Sequence, residues 1–154
     1  MIKIGKLKFS DVSKVYHIEL RSCEFPADHN QIQTVVDEKG IAFLATLSGT
    51  AVGWVEGRYD QLKKEMQVIR LAVHPTYRKR GFGRQLMGYL WNEATKMGAT
   101  KIYALVPEYQ MQKDDPDSVV EFMDHMQFRA VNVIQDHFFR YNRYYDAIRV
   151  ERAT

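Results

Sequence analysis

The sequence is poor in the residues and runs that mark extracellular or membrane proteins. It contains one cysteine, Cys23, in 154 residues. A single cysteine excludes an internal disulfide and favours a reducing, cytoplasmic setting. No apolar run approaches the roughly 20 residues of a membrane span. The first eight residues lack the apolar core of a signal peptide, so we expect none. No cluster of histidine, cysteine and acidic residues has metal-ligand spacing, and no metal site is predicted.

Basic and acidic residues nearly balance, since the net charge is only +3. This value argues against a protein that coats nucleic acid. The basic residues are nevertheless clustered, at residues 78–84 and again in Arg140, Arg143, Arg149 and Arg152. Local positive charge on a nearly neutral chain indicates an anionic ligand of limited size. Nucleic-acid binding through these clusters stays an alternative, and it would show a steep salt dependence.

The hydrophobic pattern predicts one domain, residues 1–154, without repeats or linkers. Period-two and helical patterns follow one another in the order β-α-α-β-β-β-α-β-α-β-β, which predicts an α/β fold with a mixed sheet. In the first helix we expect Val12, Val15, Ile18 and Leu20 to face the core. The strand at residues 66–73 is apolar on both faces near its end, which is typical of a central strand. The two closing strands are predicted at residues 128–134 and 138–150.

The stretch VHPTYRKRGFGRQLM, residues 73–87, lies between this central strand and a helix. Helix N-termini present unpaired amides and partial positive charge, and glycines let the backbone approach a ligand closely. A strand, a glycine turn and a helix start together favour a phosphate site. The turn lacks the Lys-Ser/Thr pair of a P-loop and the third glycine of the dinucleotide fingerprint. A solvated basic loop is the alternative interpretation.

The same stretch resembles motif A of the GNAT superfamily of acetyl-CoA-dependent N-acetyltransferases, with Arg78, Gly81 and Gly83 at the defining positions. The resemblance implies a mixed, mostly antiparallel sheet flanked by helices, and acetyl-CoA as the ligand. It implies that the turn amides hold the pyrophosphate and that the preceding strand pairs with the pantetheine arm. The implied coenzyme A-binding residues are Leu71, Ala72, Val73, Arg78, Lys79, Arg80, Gly81, Phe82, Gly83 and Arg84.

Three further stretches resemble the branch containing ribosomal-protein alanine N-acetyltransferases: IELRSCEFP at 18–26, VVEFMDHMQFRAV at 119–131, and YYDAIRV at 144–150. This likeness implies a primary amine as the acceptor, with a protein N-terminus or a lysine as the first expectation. A polyamine or an aminoglycoside is the second. The third alternative, a fold that binds coenzyme A or a partner protein without turnover, rests on two departures. Met123 stands where the branch has a tyrosine acid, and Leu105 stands near its strand glutamate.

The candidates for acid–base chemistry are Glu108 and Tyr109, which follow the buried strand at 102–106. Glu108 is the candidate base, because sites of α/β proteins lie at the carboxyl ends of strands; a solvated loop carboxylate is the alternative. Tyr109 is the candidate acid. No activated nucleophile is evident, which favours direct transfer in a ternary complex. The acidic run at 114–117 is interpreted as a helix cap that could also attract a basic peptide. The oligomeric state stays open, a homodimer included.

Overall fold

A computed structural model describes residues 1–114 and 118–154 of the chain. The strands are β1 (Ile2–Lys6), β2 (Ile41–Leu47), β3 (Thr50–Asp60), β4 (Glu65–Val73), β5 (Lys101–Pro107), β6 (Arg129–Arg140) and β7 (Arg143–Ala153). The helices are α1 (Val12–Ser22), α2 (His29–Asp37), α3 (Phe82–Met97) and α4 (Val120–His125). This is the predicted element order. Of the acidic run at 114–117, residues 115–117 lie outside the described residues, and so does the prediction made for them.

The seven strands form one sheet in the order β1-β2-β3-β4-β5-β7-β6. All neighbouring pairs are antiparallel except β4 and β5, which pair in parallel. Helix α3 connects these two parallel strands, since a parallel pair needs a crossover. The predicted α/β class with a mixed, mostly antiparallel sheet is therefore confirmed, and β4 lies at the centre of the sheet as its two apolar faces indicated.

Helices cover both faces of the sheet. Helix α3 packs its apolar stripe, with Leu86 and Leu90 fully buried, against β2, β3 and β4. Helices α1 and α2 pack on the other face around Trp54, which is also fully buried. The side chain of Asp28 caps α2 by accepting from the backbone amide of Gln31 at 2.8 Å. The two apolar clusters together fix β4 between two layers of helices.

The inward face of α1 differs from the prediction at one position. Leu20 is 52% exposed, whereas Glu19 is completely buried. A helix turns 100° per residue, so a stripe that begins at Val12 and Val15 continues through Ile18 and Glu19 and leaves Leu20 outside. The prediction for Leu20 was wrong because it gave hydrophobicity more weight than helical position.

The closing hairpin also differs from the prediction. Its turn is Tyr141–Asn142, with φ of 52° and 62°, so Phe138 belongs to the first strand and not to the second. The ladder is irregular between Ile134 and Phe138, where Asp136 has a φ of 52°. The bulge in β6, at Asp136, has polar residues typical of a turn, whereas the turn itself contains Tyr141. This exchange explains the misplaced boundary.

Candidate active site

A bulge in β4 determines where the site opens. Gly57 pairs with Val68 and Glu56 pairs with Arg70, so Ile69 is an extra residue in β4. The pairing of β4 with β5 runs from Glu65–Lys101 to Gln67–Tyr103 and ends two residues before Ile69. Beyond that point β4 and β5 diverge, and the β5-facing edge of β4 is left open at residues 68–73.

The backbone groups on this open edge can be assigned from the ladder. The amide of His74 donates to the carbonyl of Val52 at 2.8 Å, so His74 faces β3. Antiparallel strands alternate hydrogen-bonded and non-hydrogen-bonded pairs. The backbone amide and carbonyl of Ala72 therefore also point toward β3, whereas those of Leu71 and Val73 point toward the open edge. An extended ligand could pair with these two residues as an added strand.

The glycine turn lies at the carboxyl end of this edge. Lys79 and Gly81 have φ of 63° and 82°, and α3 begins at Phe82. The first hydrogen bond of α3 joins the amide of Gln85 to the carbonyl of Gly81, at 3.1 Å. The amides of residues 82–84 therefore precede the helical ladder, and Gly81 has no side chain that could cap them. Open amides at a helix start suit a phosphate group.

Gly83 lets the turn lie close to its neighbours. A Cβ at Gly83 would meet the Phe122 ring at 3.4 Å and Cγ2 of Val73 at 3.7 Å. Its backbone is thus flanked by the end of β4 and by α4. Lys79, Arg80 and Arg84 are exposed around the same turn, and the guanidinium of Arg80 lies 5.4 Å from the centre of the Tyr77 ring.

Arg78 has a different position from the other basic residues of the turn. Its Nε donates to the carbonyl of Val73 at 3.1 Å, and its Nη2 donates to the carbonyl of Ser22 at 3.2 Å. The side chain therefore ties the turn to the ends of β4 and α1. In this arrangement the guanidinium shapes the turn through two backbone carbonyls.

The two candidates for acid–base chemistry lie beside each other after β5, in a short 3-10 helix, Glu108–Met111. The hydroxyl of Tyr109 donates to Oε1 of Glu24 at 2.6 Å and accepts from Nη1 of Arg140 at 2.9 Å. Burial and the hydrogen bond to Glu24 raise the pKa of Tyr109 to about 12, against the opposing effect of Arg140. Tyr109 is therefore a phenol at neutral pH and joins the α1–α2 loop to the end of β6.

Glu108 is half-buried and, among residues 1–114 and 118–154, its carboxylate forms no hydrogen bond or ion pair. The two positions that depart from the branch pattern are both half-buried. Leu105 pairs with Arg149 on the neighbouring strand, and Met123 packs against the larger apolar cluster. Of these four residues, Glu108 and Tyr109 therefore have the groups that can exchange protons.

The sequence pattern did not single out Glu19, a buried carboxylate on α1 that contacts Arg70 of β4. Both oxygens of Glu19 accept hydrogen bonds: Oε1 from the Ala27 amide at 2.8 Å and Arg70 Nη1 at 2.9 Å, and Oε2 from Trp54 Nε1 at 2.9 Å and Cys23 Sγ at 3.2 Å. Burial and the adjacent Glu19 raise the pKa of Cys23 to about 12. The thiol therefore stays protonated at neutral pH. An acidic residue within the apolar stripe of α1 was the available signal for Glu19.

The second basic cluster is occupied by contacts within the protein. Arg149 forms ion pairs with Glu65 and Glu151, each at 3.0 Å. Arg140 binds Tyr109, and the guanidinium of Arg152 lies 4.1 Å from the centre of the Trp91 ring. These arginines stabilise the β5–β7 side of the fold, which argues against a nucleic-acid surface there.

In the described parts of the chain, no group of three or more His, Cys, Asp or Glu residues could hold a metal ion. No helix among those residues is long and apolar enough to cross a membrane.

Comparison with known proteins agrees with this geometry. The sequence model of the Acetyltransferase (GNAT) family matches residues 9–113. The [ribosomal protein bS18]-alanine N-acetyltransferase of Escherichia coli K12 is 27% identical over 103 residues, which are 67% of this chain and 68% of that protein. The crystal structure of the E. coli ribosomal-protein-S18-alanine N-acetyltransferase has a TM-score of 0.81 and 22% identity, covering 99% of this chain and 94% of the other. Arabidopsis thaliana NAA60 in complex with acetyl-CoA has a TM-score of 0.79 and 17% identity, covering 99% and 98% of the two chains.

The family match covers well over half of the chain and includes the bulged strand, the glycine turn and α3. The open strand edge and the uncapped helix start are the features that suit an extended, phosphate-bearing donor. The chain therefore belongs to the GNAT family and is an N-acetyltransferase that uses acetyl-CoA.

Proposed function

We propose that the protein transfers the acetyl group of acetyl-CoA directly to a primary amine of a protein, either an N-terminal α-amine or a lysine. The observation that carries the donor half of this proposal is the open edge of β4 leading into the glycine turn. The acceptor half is supported by the resemblance to the E. coli ribosomal-protein alanine N-acetyltransferase in sequence and fold. The single cysteine favours the cytoplasm as the location.

The donor site is proposed to have two parts. The backbone groups of Leu71 and the amide of Val73 would hold the pantetheine arm along β4, with Ala72 facing away from it toward β3. The amides that follow Gly81, at Phe82, Gly83 and Arg84, would hold the pyrophosphate at the start of α3. The side chains of Lys79, Arg80 and Arg84 add positive charge around the turn, and Arg78 holds its shape.

The acyl thioester supplies an activated acetyl group, so the protein must position the amine and manage its protons. Glu108 is proposed to accept a proton from the attacking nitrogen, because its carboxylate has no partner among the described residues. Tyr109 is proposed to supply a proton to the leaving sulfur, because its raised pKa keeps it protonated. A backbone amide on the open edge of β4 would stabilise the developing oxyanion.

Calorimetry with acetyl-CoA tests the donor site. The double variant Gly81→Asp/Arg78→Glu places negative charge at the turn and removes the link to Val73, so we expect binding to be lost. A control of equal charge change is Gly88→Asp/Lys96→Glu, which lies farther along α3 where a Cβ on Gly88 meets open space. The control should bind like the wild type. Unchanged affinity in the first variant would contradict the site.

A mass-spectrometric comparison tests the acceptor. Peptides with a free α-amine, peptides with only a lysine amine, and small polyamines are supplied at equal concentration with acetyl-CoA. We expect the acetylated peptide to be the main product. Preferential acetylation of the polyamine would instead favour the small-amine alternative.

A further inference from the structure

A large cavity lies on the α2 side of the sheet. Its volume is about 890 Å³, and it lies between α2 and the strands β3 and β4. Ile32 on α2 and Ala27 in the loop before α2 form part of one wall, and Trp54 and Glu56 form part of the sheet wall. A cavity of this size can hold a peptide side chain or terminus.

The cavity reaches the place where the donor edge begins. Ile69, the extra residue of the β4 bulge, and Arg70, the residue after it, both line the cavity. The same segment leaves β5 and presents its free edge to the donor. A donor arm along the edge of β4 and an acceptor in the cavity on its face would therefore meet at the bulge. This arrangement suits direct transfer, because the two substrates approach β4 from different directions.

Glu56 is the acidic residue on the sheet wall of this cavity. It is half-buried, and within the described part of the chain its carboxylate forms no hydrogen bond or ion pair. Its cross-strand neighbour Arg70 is engaged with the buried Glu19, 2.9 Å away. Burial raises the pKa of Glu56, and the nearby charges of Arg58 and Arg70 oppose this effect. A carboxylate in such surroundings takes up a proton more readily than an exposed one.

The other charged and titratable groups near Glu56 come from four elements. They are Glu19 on α1, Glu38 and Lys39 at the end of α2, Arg58 and Tyr59 on β3, and Arg70 on β4. Glu19 and Arg70 neutralise each other in their ion pair. Glu38 and Lys39 also line the cavity and carry opposite charges. Arg58 is the cation left to balance Glu56, and it is exposed to solvent.

We propose that Glu56 accepts the first proton of the acceptor amine, converting the incoming ammonium group into the neutral amine that reacts. This inference rests on the proposed function. An ammonium nitrogen must lose two protons to become an amide nitrogen: one before attack, to Glu56, and one after attack, to Glu108. Tyr109 gives one proton to the sulfur and is reprotonated by Glu108. The proton on Glu56 passes to solvent through the open cavity, so one proton is released per transfer.

The test is the pH dependence of kcat/KM for Glu56→Gln with two acceptor peptides, one with a free α-amine and one with only a lysine amine. Without Glu56 the variant depends on amine that is already neutral. A model α-amine has a pKa of about 8 and a lysine about 10.4, so the neutral fraction at pH 7 is roughly one tenth and roughly one in 2,500. We expect a loss of about 10²-fold at pH 7 for the lysine peptide. The loss should be smaller for the α-amine and should disappear for it above pH 9.

Asp37→Asn is the matched control, because it removes one carboxylate from the end of α2 at a position outside the cavity lining. The control should keep the pH profile of the wild type. A loss in Glu56→Gln that is equal at every pH and for both acceptors would indicate a structural role and overturn the inference. An unchanged variant beside an active wild type would overturn the role of Glu56 alone. A wild type that binds acetyl-CoA yet acetylates no amine would overturn the proposed function and this inference together.

Discussion

The buried Glu19 carboxylate allows a quantitative prediction about stability. Its side chain is completely buried, while its partner Arg70 is 29% exposed. Replacing Arg70 by methionine keeps most of the apolar stem but leaves the carboxylate with only Ala27, Trp54 and Cys23 as hydrogen-bond donors. Removing one partner of a buried ion pair costs about 3–5 kcal/mol, because the remaining charge stays desolvated. The partial exposure of Arg70 favours the lower end, about 3 kcal/mol.

Urea unfolding followed by circular dichroism measures this cost as a free energy of unfolding. In thermal unfolding of a domain of this size, about 3 kcal/mol corresponds to a fall in Tm of roughly 6–12 °C. Arg129→Met is the matched control, because Arg129 is an exposed arginine at the start of β6, far from the Glu19 contacts along the chain. A surface substitution of this kind should change the free energy of unfolding by no more than about 0.5 kcal/mol.

The double variant Glu19→Met/Arg70→Met separates the pair from its surroundings. It removes both charges, so we expect it to regain part of the stability lost in Arg70→Met. A cost below about 1 kcal/mol for Arg70→Met would refute the reasoning, because it would mean that water reaches the Glu19 carboxylate and screens it. A double variant less stable than Arg70→Met would also contradict it, because hydrogen bonds to Trp54 and Ala27 would then outweigh the buried charge.

Three other predictions follow from pKa values. With a pKa near 12 in place of the usual 9, Cys23 should react with iodoacetamide at pH 8 roughly a thousandfold more slowly than a model thiol, as mass spectrometry can measure. Glu56→Gln should raise the free energy of unfolding at pH 7, because the fold disfavours the ionised carboxylate; this gain should vanish below about pH 4, where the unfolded chain is also protonated. The pKa of Tyr109 is raised to about 12, so its phenol stabilises the fold below about pH 10 and this contribution is lost as the pH rises toward 12. Tyr109→Phe should therefore cost about 1 kcal/mol in urea unfolding at pH 8 and less at pH 11.

The glycine turn could be predicted from the sequence because its causes are local. Gly81 adopts a positive φ, and the amides after it stay uncapped for reasons contained within a few residues. The Glu19 contacts could not be predicted in the same way, since Trp54 and Arg70 are 35 and 51 residues away along the chain. The hairpin boundary was misplaced because turn-like residues occupy a bulge at Asp136, and only pairing with β7 distinguishes a bulge from a turn.

The bulge in β4 was visible in the sequence but was interpreted only as burial. Met66 and Val68 pack on the α3 side, and after Ile69 the same side continues with Leu71 and Val73. The apolar residues thus change from even to odd positions at Ile69, which is what one inserted residue does to a period of two. An apolar run on both faces of a strand can therefore indicate a bulge as well as a buried strand.

This inserted residue connects the fold to the chemistry. By shifting the register, Ile69 turns Arg70 toward α1, where it meets Glu19, and leaves Leu71 and Val73 facing the edge where β5 has departed. The ion pair then anchors α1 to β4, the strand proposed to hold the donor, and Arg78 anchors the glycine turn to the ends of both elements. The proposed donor edge, the glycine turn and the Glu56 wall of the cavity are therefore fixed relative to one another by contacts that depend on the bulge in β4.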